Sequence, residues 1–246
     1  MKDVLGYSEA FFLAAIPFLI FRSLGCDSFL SFELVLLVLK AIGFFGMLWL
    51  LRRFLNLNRT AALAGASLFT LSNVYYVHTG HAHLMAVALL PVLICLILSY
   101  RQMHNLGENR RALVFIGAAA TLHALLFFTA FYIGWFTALC GAVFLVVYFL
   151  ARRTYGSDSI PLASYLRGHL PGIVVGLLVF CVMMTPFCAT YLPIMKQTGG
   201  RTFAEALLYS AEPIDVINIG PDNLVWRPLL RDFMNRLWTR PGGGEK

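Results

Sequence analysis

Charge is scarce in this sequence. Only 13% of its 246 residues are Asp, Glu, Lys or Arg, and 59% are hydrophobic, whereas soluble domains carry about 25% charged residues. Several apolar runs reach the roughly 20 residues that a helix needs to cross a bilayer. The composition therefore excludes an ordinary water-soluble domain and a disordered chain. It predicts an all-α, polytopic bundle of helices in a membrane.

Signatures of several protein classes are also missing. The chain has no Walker loop, no G-x-S-x-G, no H-E-x-x-H and no serine–histidine pattern of a membrane protease. Its five cysteines show no zinc-site spacing, and four of them lie in apolar runs, which favours a packing role. The predicted spans contain no carboxylate, which disfavours an ion-coupled transporter. The formal charge of +7 comes from cations in short loops, which is typical of membrane topology rather than of nucleic-acid binding.

Hydropathy divides the chain into spans and connecting segments. The apolar stretch 112–150 has 39 residues, about twice one span, so we predict two helices with a turn near Phe128–Tyr132. The first apolar run is short and contains Pro17, which favours an interfacial or re-entrant helix over a short true span. The six predicted spans are 34–51, 61–77, 83–100, 112–128, 132–150 and 171–194. We predict an external segment at 1–32, a transmembrane bundle at 33–195 and an external polar tail at 196–246.

Arginine predicts the orientation of the bundle. Nine arginines lie in three loops, 52–59, 101–111 and 152–169, which share one side of the membrane if 112–150 forms two helices. The positive-inside rule places that side in the cytoplasm. The predicted location is therefore the bacterial inner (plasma) membrane, with these three loops cytoplasmic and the remaining loops external.

A histidine-rich external loop is the first candidate for chemistry. His78, His81 and His83 lie within six residues between two predicted spans, and imidazole can bind a metal, donate to a phosphate or move a proton. The alternative is three interfacial histidines in contact with water. A divalent metal could bind here, but no fourth strong ligand lies nearby for a closed zinc site. No definite cofactor is predicted.

Other polar groups lie in or beside the predicted spans. Lys40 lies inside a span, where a charge costs roughly 2.5–3.5 kcal/mol, so it either snorkels to the external surface or contacts an anionic headgroup. His123 and Tyr132 lie near the predicted turn and either belong to an interfacial belt or line a cavity for a sugar or lipid. Lys196 and Arg201 flank a Gly-Gly turn and either bind a phosphate or anchor the chain to headgroups.

Several short motifs also follow one another in a recognisable order. They are Leu51-Arg52-Arg53, Asn58-Arg59-Thr60-Ala61-Ala62, Leu71-Ser72-Asn73, Gly80-His81-Ala82-His83, Leu89-Leu90-Pro91, Phe131-Tyr132-Ile133-Gly134-Trp135-Phe136, Tyr191-Leu192-Pro193 and Gly200-Arg201. This order resembles the membrane core of GT-C type polytopic membrane glycosyltransferases, including their YfhO-like and polyprenyl-phosphate-sugar-dependent branches. The resemblance extends over most of the chain.

The resemblance implies a reaction and a set of site residues. Enzymes of this class transfer a sugar from a polyprenyl-phosphate donor to a cell-envelope acceptor on the external face, and an acid in their first external loop is central to catalysis. That acid would fall before Met1, and the first and later spans of the class have no counterpart here, so the chain resembles a member shortened at both ends. Glu9 is then the candidate acid/base, or else a carboxylate that stabilises a helix start. The candidate phosphate contacts are Lys40, His78, His81, His83, Lys196 and Arg201.

Two other functions remain open at this point. One is a non-catalytic membrane scaffold or lipid-binding protein that retains a groove for the donor lipid. The other is a small transporter or flippase. The expected partners are a polyprenyl-phosphate lipid, a cell-envelope acceptor and membrane lipid, and no nucleic acid.

Overall fold

The computed structural model describes residues 11–71, 82–155, 162–199 and 207. Within these ranges all regular structure is helical, which confirms the predicted all-α class. A π-helical turn, Leu50–Phe54, prolongs the second helix, and a 3-10 helix, Ala82–Leu89, leads into the fourth. The α-helices are α1 Phe12–Ser23, α2 Ser28–Trp49, α3 Arg59–Thr70, α4 Leu90–Asn105, α5 Asn109–Thr129, α6 Phe131–Tyr155 and α7 Leu162–Thr198.

Five helical segments in the described ranges are long and apolar enough to cross a membrane. The chain is therefore a multi-pass membrane protein. The remaining predicted span, 61–77, overlaps α3 as far as Thr70, and its continuation through residues 72–77 lies outside the described residues. The five segments are Ser28–Phe54, Leu84–Asn105, Asn109–Thr129, Phe131–Ala151 and Ala163–Gln197.

The long apolar stretch is interrupted at Ala130. This residue is extended, with φ −151° and ψ 90°, between the end of α5 and the start of α6. Its N–H still donates to the Leu126 carbonyl at 2.7 Å, and its own carbonyl accepts from the Gly134 N–H at 3.1 Å. Both backbone polar groups of Ala130 are therefore satisfied. The break lies inside the segment where the sequence predicts a turn.

Helix ends differ from the predicted loop boundaries. Helix α2 begins at Ser28 rather than at residue 34, because the Asp27 carboxylate accepts a hydrogen bond from the Leu30 N–H at 2.8 Å and caps the helix. Helix α4 continues to Asn105 and α7 begins at Leu162. Much of the predicted loops 101–111 and 152–169 is therefore helical. Hydropathy marks where apolar side chains end, whereas a helix continues until its hydrogen bonds or caps end.

Helix α1 packs along the bundle. Its 12 residues are about 18 Å long, well short of the ~30 Å hydrocarbon core. The buried Ala14 belongs to a core cluster with residues of α2 and the 3-10 helix: Val35, Leu36, Leu39, Met85 and Ala88. The Leu13 N–H donates to Thr129 Oγ1 at 3.1 Å. Since the first N–H groups of a helix have no partner within it, Thr129 supplies one from the end of α5.

Small residues allow α2 to approach the 3-10 helix and α4 closely. A Cβ on Gly46 would lie 2.9 Å from Val92 Cγ2, and one on Gly43 would lie 3.2 Å from Ala88 Cβ. Close packing of this kind is a main source of helix association in lipid, where little hydrophobic force acts between helices. A second core cluster joins the 3-10 helix and α4 to α5 and the break: Ala86, Leu89, Leu93, Ala119, Leu126 and Ala130.

Two of the predicted cytoplasmic loops, 101–111 and 152–169, are brought to one end of the bundle. Near the end of α4, the Tyr100 hydroxyl lies 2.9 Å from His169 Nδ1 near the start of α7. The next residue, Arg101, donates through Nη2 to the Tyr148 hydroxyl near the end of α6, at 3.4 Å. The end of α4, the end of α6 and the start of α7 therefore meet. We call this the arginine end; α5 begins there as well, only residues 106–108 separating it from α4.

The chain divides into two compact units, Met1–Ile194 and Met195–Lys246. The first contains the bundle described above. In the second, the structure describes only residues 195–199 and 207, so most of the predicted tail lies outside the described residues.

Candidate functional site

Most of the predicted catalytic and phosphate-binding residues fall outside the described part of the chain. Glu9, His78, His81 and Arg201 are in this group. His83 lies in the 3-10 helix Ala82–Leu89, but its side chain is not among those described. These assignments therefore remain predictions.

The remaining predicted residues are described. Lys40 is half-buried on α2, inside the candidate span Ser28–Phe54. Tyr132 lies in the first turn of α6 with 56% of its surface exposed. Lys196 is exposed in the last turn of α7. The structure places His123 within the last two turns of the helix that precedes the break at Ala130 and Tyr132 in the first turn of the helix that follows it, and it places Lys40 on a different helix.

Aromatic side chains gather around the α5–α6 break. Phe187 of α7 stacks on Phe131, with ring centroids 5.8 Å apart and planes at 7°, and lies 5.5 Å from Phe128 in an edge-on arrangement. Phe127 contacts Phe187 and Trp135 at 6.1 and 5.8 Å. We call the connected set of rings the aromatic cluster: Phe12, His123, Phe127, Phe128, Phe131, Tyr132, Trp135, Phe180, Phe187 and Tyr191.

The aromatic cluster lies at the end of the bundle opposite the arginine end. Helix α5 joins the two ends, and its 21 residues separate them by about 30 Å. The interior of the cluster is closed, since Phe127 and Phe187 are 6% and 9% exposed. Its outer edge is open, since Trp135 is 56% exposed. Rings with polar tips belong at the membrane–water boundary, and the exposed edge offers flat apolar faces to a ligand.

His123 is held firmly within this cluster. Its Nε2 lies 3.1 Å from the Gly134 carbonyl across the break, so Nε2 carries the proton in this arrangement. Its ring lies 5.4 Å from both Phe127 and Phe180. Gly134 has no side chain to interfere, and a Cβ there would lie 2.8 Å from Phe127 Cδ2. In this arrangement His123 connects α5 to α6.

A second group of polar rings lies at the arginine end, and the sequence reasoning did not find it. The rings of His104 and His169 are 4.2 Å apart, and that of Tyr165 lies 4.4 Å from His169. We call this group the histidine–tyrosine cluster: Tyr100, His104, Tyr148, Tyr165 and His169, with Arg101 beside Tyr148. His104 and His169 are 65 positions apart in the chain, so spacing gave no signal. The only hint in the sequence was that both histidines fall in loops predicted to lie on the cytoplasmic side of the membrane.

Metal-binding geometry is not present in the described part of the chain. No group of three or more His, Cys, Asp or Glu side chains converges there. The five cysteines are free, and the buried Cys95 donates to the Gly46 carbonyl at 3.8 Å, in keeping with a packing role.

Comparisons with protein-family models, with curated proteins and with solved structures find no match to this chain.

Proposed function

We propose that this chain is a GT-C type glycosyltransferase of the bacterial inner membrane. It transfers a sugar from a polyprenyl-phosphate donor to a cell-envelope acceptor, on the side of the membrane opposite the arginines. The observation that carries the proposal is the position of the aromatic cluster, whose open edge lies at the end of the bundle remote from the arginine end.

The open edge suits both parts of such a donor. A polyprenyl chain is apolar and packs against aromatic rings, and the less polar face of a sugar does the same. Tyr132 and Trp135 are each 56% exposed and carry a hydroxyl and an indole N–H that can bond polar atoms at the membrane boundary. A ligand seated here would contact α6 directly, through these two exposed side chains.

The proposed chemistry is displacement at the anomeric carbon of the sugar. A base removes the proton of an acceptor hydroxyl, and cations stabilise the departing polyprenyl phosphate. Glu9 is the proposed base, and Lys40, His81 and Arg201 are the proposed phosphate contacts. A lysine within a candidate span supports a role beyond solubility, because intramembrane charges are costly and usually functional.

Sugar transfer by the full chain in lipid nanodiscs tests the proposal. The donor is a polyprenyl-phosphate sugar with a radiolabel on the sugar, and a membrane extract supplies acceptors. Tyr132→Ala and Trp135→Ala should each reduce transfer at least tenfold, and Tyr132→Phe should retain more activity than Tyr132→Ala. Phe144→Ala is the matched control, since Phe144 lies on the same helix, is 68% exposed and is outside the aromatic cluster.

The outcomes separate the candidate functions. Equal losses in Phe144→Ala and Trp135→Ala would remove the aromatic cluster from the site. Donor binding without transfer by the unmodified chain would favour the lipid-binding scaffold over the enzyme. If the unmodified chain neither binds the donor nor transfers the sugar, both candidate functions are refuted.

A further inference from the structure

The rotation of α6 about its own axis determines which side chains form the open edge of the aromatic cluster. Tyr132 and Trp135 are exposed, whereas Gly134 between them is buried against α5. Since each residue turns a helix by about 100°, Tyr132 and Trp135 lie about 200° and 100° around α6 from Gly134. Both rings therefore face away from α5 while Gly134 faces it. A rotation of α6 by one residue would carry Trp135 toward α5 and close the edge.

The chain connection and the ring contacts leave this rotation weakly fixed. Ala130 alone connects α5 to α6, so changes in its two dihedral angles would turn one helix against the other. The contacts between the phenylalanine rings of the cluster are apolar, and lipid solvates such surfaces when helices separate. A hydrogen bond depends on direction as well as distance. A hydrogen bond between the two helices therefore restricts the rotation more than the ring contacts do.

His123 of α5 makes such a bond. Its Nε2 donates to the Gly134 carbonyl at 3.1 Å, which places the buried glycine of α6 opposite α5. The imidazole ring is half-buried and lies 5.4 Å from both Phe127 and Phe180, so its orientation is restricted as well. Contact and geometry together make His123 the polar link across the break that aims at the first turn of α6.

We propose that His123 is a positioning residue for the proposed sugar transfer. By donating to the Gly134 carbonyl, it fixes the rotation of α6 that turns Tyr132 and Trp135 toward the polyprenyl-phosphate donor. His123 acts through these two side chains and does not contact the reacting atoms. Its role in transfer rests on the proposed function, whereas its effect on the rotation of α6 is measurable without any transfer.

Three substitutions of His123 separate the hydrogen bond from the ring. His123→Gln retains an amide nitrogen at the same number of bonds from the backbone as Nε2, so it should keep the apparent KM for the donor within twofold. His123→Asn has its nitrogen one bond nearer to the backbone, and His123→Phe keeps a ring without a donor. Each of these two should raise the apparent KM about fivefold, which corresponds to the ~1 kcal/mol of one interhelical hydrogen bond. The kcat should change less than twofold, because the reacting groups are unaltered.

A second variant and a control test the same contact from α6. Gly134→Ala leaves His123 in place, but its Cβ would lie 2.8 Å from Phe127 Cδ2, so it should push α6 away and raise the apparent KM in the same way. Thr137→Val is the matched control. The Thr137 hydroxyl donates to the Ile133 carbonyl within α6 at 2.6 Å, so its loss removes a bond near the break without releasing α6 from α5.

Trp135 fluorescence reports on the rotation independently of transfer. The full chain is placed in nanodiscs with Trp49, Trp226 and Trp238 replaced by Phe, and brominated phospholipid is the quencher. Quenching of Trp135 should fall at least twofold in His123→Phe, since the indole turns toward α5, and should be retained in His123→Gln. Thermal melting of each variant identifies the folded ones, from which quenching and KM are read.

Three results would overturn the inference. Equal losses in His123→Gln and His123→Phe would show that the donor at this position is unimportant. A rise in KM for Thr137→Val as large as that for His123→Phe would indicate general loosening of α6. Unchanged Trp135 quenching in His123→Phe would show that the bond does not set the rotation. Absence of transfer by the unmodified chain would instead refute the proposed function, and the quenching result would still decide whether His123 fixes α6.

Discussion

Removal of the Phe187 ring should destabilise the bundle more than any other single truncation on α7. Phe187 is 9% exposed and makes four ring contacts, with Phe127, Phe128, Phe131 and Tyr191. Each aromatic pair contributes about 0.5–1.5 kcal/mol beyond its buried area. Phe→Ala changes in water-soluble cores cost about 3–5 kcal/mol. We expect a smaller loss of stability for Phe187→Ala, about 2–3 kcal/mol. In a membrane, lipid solvates the apolar surface of a separated helix, so most of the free energy of transfer from water does not contribute to helix packing.

The free energy of unfolding is measured by titrating SDS into mixed micelles and following tryptophan fluorescence. Trp135 contacts Phe127 and Phe131 at 5.8 and 6.1 Å, so its emission reports on the aromatic cluster. Leu177→Ala is the control on the same helix, since Leu177 is 60% exposed and should change stability by less than about 0.5 kcal/mol. A loss below about 1 kcal/mol for Phe187→Ala, or one equal to that of Leu177→Ala, would refute the reasoning.

Two single contacts and the predicted orientation each allow a further test. Gly172→Ala should lower the free energy of unfolding by about 1–3 kcal/mol through overpacking, because the added Cβ would lie 2.6 Å from Tyr100 Cζ. The double variant Gly172→Ala, Tyr100→Ala should lose less stability than the sum of the two single losses. Strict additivity would contradict the contact. Thr129→Val should lower stability by about 1 kcal/mol, since it removes the acceptor for an N–H of α1, whereas Thr129→Ser should be nearly neutral in the same titration. In a cysteine-free background, His81→Cys should react with an impermeant maleimide on intact cells and Arg110→Cys only after lysis; the opposite pattern would reverse the proposed orientation.

The bundle could be predicted further from the sequence than the sites could. The split of 112–150 followed from length alone, and the structure breaks the helix at Ala130. The start of α2 was missed, although the Asp27 cap is a local signal that a search for capping residues would have found. The ends of α4 and α7 were missed because hydropathy carries no information on where a helix stops.

The candidate sites depended on contacts that no local pattern contains. His123 was expected to line a cavity, and the structure gives it a defined partner in the Gly134 carbonyl. That contact requires the chain to reverse at Ala130 and α6 to turn its glycine toward α5. The predicted loop histidines at 78 and 81 lie outside the described residues, so their role is still a prediction from sequence.

Membrane insertion, helicity and the separation of arginine from the aromatic turn were all determined by the sequence itself. Each depends on residues within about 20 positions of one another, because a bilayer selects for length, apolarity and satisfied backbone hydrogen bonds. Only the tertiary structure decided that Phe187 stacks on Phe131 and that Tyr100 bonds His169. Those pairs are set by the rotation and depth at which helices pack, and in lipid these depend on the fit of whole faces rather than on hydrophobicity.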